Sequence, residues 1–76
     1  MAMKTARVQS TTLSTVAYDA NREILELRFR SRAVYRYFEA PVEVHAGLWR
    51  AASKGTYFND VIRDCYPFVR LRGGRS

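Results

Sequence analysis

The stretch "EILELRFR" at 23–30 alternates from its third residue on, with Leu25, Leu27 and Phe29 on one side and Glu26, Arg28 and Arg30 on the other. Side chains along a β-strand point to opposite faces in turn, so this pattern predicts a strand with one buried and one wet face. Such a strand needs a neighbour for its backbone N–H and C=O groups. The run "AVYRYFE" at 33–39, rich in aromatic and β-branched residues, supplies one, and the two read as an antiparallel hairpin. Ser31-Arg32 is a two-residue loop of unusual type, and a three-residue loop fits as well, so two registers are open. A slip of one residue carries Arg36 from one face to the other.

The rest of the chain builds outward from this hairpin. Leu13 to Tyr18, with β-branched Thr15 and Val16, predicts a short strand that the Asp and Asn of "DANR" at 19–22 close with turn chemistry. "PFVRL" at 67–71 returns as the last strand. Two helices are expected before it. Pro41 suits a first helical position, with Val44, Leu48 and Ala51 recurring behind it, while Gly47 keeps that helix short. In the second, Phe58, Val61, Ile62 and Cys65 form one apolar stripe, and Asn59, Asp60, Arg63 and Asp64 take the solvent side. Pro67 then forces Tyr66 toward extended geometry and ends the helix.

The expected layout is a basic arm at 1–10 containing Lys4 and Arg7, one domain at 11–71, and a flexible basic tail at 72–76. Arg7-Val8-Gln9 is placed to join a sheet edge. A chain of 76 residues has room for one thin core, folding alone or as a small homo-oligomer.

Composition bears on function through charge. There are 13 Lys plus Arg against 7 Asp plus Glu, a net charge of +6, and 11 of the cations are Arg. Guanidinium matches a phosphate edge with a rigid fork of donors, so this bias suits a phosphate-bearing partner. It also fits a GC-rich genome and plain solubility, since net charge speaks to non-specific binding and not to fold. Cys65 stands alone, which excludes an intramolecular disulfide; its place on the apolar stripe predicts a buried, inert thiol. No apolar run reaches the roughly 20 residues that cross a bilayer, and "MAMKTARVQSTT" lacks the apolar middle of a signal peptide, so a cytoplasmic location is expected.

An ordered set of motifs resembles the KTSC domain family, short bacterial modules named after the C-terminal extension of some lysyl-tRNA synthetases. The motifs are "AYD" at 17–19, "LELRF" at 25–29, "YRY" at 35–37, "AP" at 40–41 and "SKGTYFNDVIRDCYPF" at 53–68. The resemblance runs from about Ser10 to Leu71. It implies a small α+β domain related to Sm-like or SH3-like partial barrels and a role in RNA binding. Similar members often carry Asn-Gly or Gly-Gly at the hairpin turn, where this chain has Ser31, Arg32 and Ala33.

Two candidate sites emerge, each beside a plainer use of the same residues. Ser53-Lys54-Gly55 opens the second helix: the Ser53 hydroxyl can cap it, free N–H groups and Lys54 can meet an anion, and Gly55 permits close approach. The plainer use is a cap and a tight connection, and it has the better claim. Tyr35 and Tyr37 share a face and can stack bases while Arg28, Arg30, Arg32 and Arg36, with no acid between 27 and 38, hold phosphates. As core residues with rim hydroxyls the two tyrosines need no ligand, and this reading is favoured for the rings. Lys54, Arg70, Arg72 and Arg75 add salt-sensitive attraction. His45 and Trp49, four apart on the first helix, are placed to touch, and no ligand set for a metal accompanies them.

The sequence therefore predicts an α+β domain: a strongly bent antiparallel sheet of four or five strands with two short helices inserted before the last. Its expected role is binding RNA or single-stranded nucleic acid, with no catalytic residues, cofactor or metal. The alternative is a protein-interaction module that docks a partner on an exposed sheet edge or the Trp49 surface.

Overall fold

The computed structural model describes residues 3–73. Five strands, β1 (Lys4–Arg7), β2 (Leu13–Asp19), β3 (Ile24–Phe29), β4 (Val34–Tyr37) and β5 (Phe68–Arg72), form one sheet in the order β1-β2-β3-β4-β5. Every neighbouring pair is antiparallel. Helix α1 (Val42–Arg50) and the short α2 (Lys54–Tyr57), which runs on into a π-helical turn at Phe58–Ile62, lie between β4 and β5. The fold is α+β with two short helices before the last strand, and the sheet is open, not a closed barrel.

Local chemistry sets each connection. The Asp19 carboxylate accepts from the N–H groups of Asn21 and Arg22 at 3.0 and 3.2 Å, which turns the chain from β2 toward β3. The β3–β4 loop spans three residues: Arg32 N–H donates to Phe29 O and Phe29 N–H to Ala33 O, both at 2.9 Å, with Arg32 left-handed at φ 78°. This is a turn followed by a left-handed residue, and it fixes the open register. Leu27 faces Tyr35, and Glu26 faces Arg36. Register shifts at Leu13/Thr15 and Val34/Tyr35 leave Ser14 and Leu71 as extra residues, and such bulges bend the sheet.

The concave face carries the core. Val16, Leu25, Leu27 and Tyr37 are all but fully buried, against Leu48 of α1 and Ile62 of the π turn. Pro41 precedes α1 in extended geometry, with ψ 161°, so the helix begins one residue later than the proline suggested.

Three expectations change at the ends of the chain and on the second helix. Lys4–Arg7 form the first strand of the sheet, and Val8 is buried in the core, so these residues belong to the domain. The sheet-edge pairing expected at Arg7-Val8-Gln9 begins earlier in the chain. Arg72 ends β5, while residues 74–76 of the expected tail, including Arg75, lie outside the described residues. Cys65 is exposed, not buried. Arg63 N–H donates to Phe58 O, five residues back, and this widened turn shifts the phase of the stripe. Phe58 and Ile62 keep the core, and Cys65 falls in the turn beyond it.

Candidate functional site

Bending the sheet over the π turn opens a cleft of about 530 Å³ between the β3–β4 hairpin, the π turn and the start of β5. Its floor is aromatic. Phe29, Tyr35, Tyr37, Phe58 and Phe68 form a connected set of rings with centroids 5.1 to 6.3 Å apart. Exposure rises across this set, from Tyr37 at 1% to Phe68 at 49%, so a closed inner end leads to an open outer one. Burial pushes the Tyr37 phenol up to about 12; Tyr35 and Asp64 add to the effect and Arg63 opposes it. The rim of the cleft is polar, lined by Asn59, Arg63 and Asp64.

The cations expected to act together are distributed over different surfaces. Directly paired residues share a face. Arg36 therefore projects from the outer, convex face with Glu26, and its guanidinium binds that carboxylate at 2.7 and 3.1 Å. Arg28, exposed, lies on the same outer face, paired with Val34. Arg30 Nε donates to Ser10 O at 2.8 Å, tying the hairpin tip to the loop before β2. Arg32 is exposed at that tip. Arg70 pairs with Tyr35, which puts it on the cleft side of β5.

The two tyrosines separate as well. Tyr35 is partly buried and lines the cleft, while the Tyr37 ring is enclosed and has no open face to stack on. Phe68 offers the open aromatic surface in its place. Sequence reasoning missed Phe68, Asn59, Arg63 and Asp64 as site residues. The polar three were visible as the solvent side of the second helix, but nothing local aimed that side at the hairpin.

Ser53, Lys54 and Gly55 are used by the chain itself. The Ser53 hydroxyl accepts from Thr56 N–H at 3.2 Å and donates to the Thr56 hydroxyl at 3.0 Å. Lys54 Nζ donates to Ala51 O at 2.8 Å and to Trp49 O at 3.3 Å, satisfying carbonyls at the end of α1. A Cβ at Gly55 would stand 2.6 Å from Thr12 Oγ1, so glycine is what lets α2 pack on the loop before β2. The segment is a self-satisfied junction, and of its three residues Gly55 lines the cleft.

On the far side of α1, Trp49 Nε1 donates to His45 Nε2 at 2.9 Å, and the imidazole stacks on Tyr18 with centroids 4.5 Å apart. Tyr18 in turn donates to Ala40 O at 2.6 Å. Burial holds the His45 pKa below the usual histidine value. The acceptor role of Nε2 requires that nitrogen to be unprotonated, and the arrangement braces α1 against β2. Among the described residues no group of three His, Cys, Asp or Glu side chains comes together to hold a metal, and no helix is long and apolar enough to cross a membrane.

Comparison with known proteins gives a consistent picture. The KTSC domain family model matches residues 9–66. A protein of Stutzerimonas stutzeri is 43% identical over 61 residues, covering 80% of this chain and 86% of its own. A lysine–tRNA ligase of Nostoc punctiforme is 32% identical over 63 residues, 83% of this chain but 11% of the ligase. The crystal structure of a KTSC domain protein from Yersinia pestis superposes with a TM-score of 0.88 at 30% identity, covering 92% of this chain and 99% of that one.

Proposed function

The chain belongs to the KTSC domain family, and from that premise we propose that it is a non-catalytic module that binds RNA or single-stranded nucleic acid in the aromatic cleft. The observation that carries this reading is the pairing of open aromatic surface with cations on one side of the sheet. Phe68 and Tyr35 provide stacking faces, Arg63 lines the same cleft, and Arg70 lies on the cleft side of β5. Single strands are held in this way, by aromatic rings that stack bases and by a positive groove that follows the backbone. The occurrence of a similar segment within a lysine–tRNA ligase, a protein named for acting on tRNA, supports the same reading.

The test separates the two faces of the sheet. In a fluorescence anisotropy titration with single-stranded RNA, the pair Arg63→Ala and Arg70→Ala is expected to weaken binding and flatten its salt dependence, by about 0.7 in log–log slope for each phosphate no longer neutralised. The outer-face pair Arg28→Ala and Arg36→Ala is expected to do much less. Equal effects from the two pairs would remove the cleft from the account.

One observation favours a second reading. β5 is the last strand of the sheet and exposes Phe68, Val69 and Leu71 at 45 to 49%, the kind of edge on which an extended peptide can add a strand. Binding at such an edge would be nearly indifferent to salt, whereas nucleic-acid binding falls log-linearly with it.

A further inference from the structure

The cleft contains a group that phosphate binding does not explain. Asp64 lines it beside Arg63 and Asn59, and a carboxylate repels phosphate. The ion pairs of the described residues, Arg22–Asp19 and Arg36–Glu26, use neither Arg63 nor Asp64, and both are exposed. The π turn is what brings this group together. Closing a turn between Phe58 and Arg63 widens the helix, and Asn59 and Asp64, five residues apart, both line the same cleft.

A carboxylate in a cationic, aromatic site is matched by a ligand with two adjacent donors. Among the bases of RNA, guanine alone offers this on one edge, with N1–H and the N2 amino group side by side and the O6 acceptor next to them. Adenine and cytosine set a ring-nitrogen lone pair beside their amino group, and uracil sets a carbonyl on each side of its N–H. Unpaired bases are read in this way, stacked on aromatic rings and hydrogen-bonded along the Watson–Crick edge. A cleft of about 530 Å³ is within the ordinary range for a small-ligand site.

We infer that the cleft takes a single unpaired guanine, stacked on Phe68 and Tyr35, with Asp64 accepting from N1–H and N2–H and with Arg63 and Asn59 as donors to O6. This rests on the nucleic-acid reading and adds a base preference to it.

The test is fluorescence anisotropy with labelled hexauridine and with three variants carrying one central guanosine, inosine or adenosine. The guanosine oligomer should bind about tenfold more tightly than hexauridine or the adenosine oligomer, as one bidentate base contact predicts. Inosine lacks the N2 amino group and should lose most of that gain. Asp64→Asn should abolish the guanosine preference while binding hexauridine at least as tightly as the unaltered protein, since a charge that repels phosphate has gone. Asp64 is exposed, so this substitution leaves the core intact. Equal affinity for the guanosine and adenosine oligomers, or a guanosine preference that survives Asp64→Asn, would overturn the inference while leaving nucleic-acid binding in place. Failure to bind any of the four would overturn both.

Discussion

The Arg36 guanidinium lies 2.7 Å from the carboxylate of Glu26, its direct cross-strand neighbour, on the face of the sheet turned away from the cleft. One cation of the hairpin is thus matched by an acid from the adjacent strand. The partly exposed pair is worth about 0.5 kcal/mol. Arg36→Ala is expected to lower stability by about that amount in urea denaturation and to leave RNA affinity within about twofold, as for a rim charge not engaged by the ligand.

Gly47 allows the two helices to meet. A Cβ there would run into the Tyr57 hydroxyl and ring. Helix propensity alone predicts that Gly47→Ala stabilises α1 by about 1 kcal/mol. Overpacking of this kind costs about 1–3 kcal/mol, so the net change should be destabilising. The sign should reverse in a Tyr57→Ala background, where the ring is absent and the propensity gain remains. Urea midpoints of the four proteins in this double-mutant cycle check it.

Arg32 holds a left-handed conformation, at φ 78°, a region that glycine occupies without a steric penalty. A left-handed residue with a side chain carries a penalty of about 1–2 kcal/mol that glycine avoids, partly offset by glycine's greater freedom when unfolded. Arg32→Gly should therefore raise stability by about 0.5–1 kcal/mol, read as a higher thermal midpoint.

His45 gives the domain a pH dependence of definite sign. Burial disfavours the charged ring, so its folded pKa lies below the usual 6.5, and its Nε2 is already an acceptor for Trp49. As pH falls, the unfolded chain takes up the proton first. This contribution to stability is complete above about pH 6.5, declines as pH falls from there, and levels off below the folded pKa. Urea midpoints, followed by Trp49 fluorescence, should decline through this window more in the unaltered protein than in His45→Gln.

The parts of the fold that were legible in the sequence are those set by neighbours along the chain. The alternation of Leu25, Leu27 and Phe29 with Glu26 and Arg28 places the inner and outer faces of β3 correctly, because a period of two needs no tertiary information. The Asp19 turn forms as its residue types indicate, whereas the helical region stops at Ile62, five residues ahead of the Pro67 expected to end it. β1 gave no such signal: all four of its residues are exposed, and an edge strand with nothing to bury shows no apolar period. The helical stripe failed at Cys65 because a single widened turn changes the phase, and periodicity assumes a constant one.

The site was harder to read for a different reason. Tyr35 and Tyr37 share a face as expected, but which of them is open depends on Phe58 and Phe68, which arrive from other elements. Arg28, Arg30, Arg32 and Arg36 cluster along the chain, yet the pleat and the loop send them to different surfaces. Arg63 and Asp64 reach the cleft only through the docking of the π turn against the hairpin.

The most direct test of the central claim is a set of fluorescence anisotropy titrations of the domain against single-stranded RNA, single-stranded DNA and heparin at several salt concentrations. A cleft that stacks bases predicts that RNA binds more tightly than heparin and that the difference persists near physiological salt, because stacking does not depend on counterion release. Equal, weak binding to all three polyanions that disappears as salt rises would contradict it, leaving the net charge of +6 as the whole of the attraction.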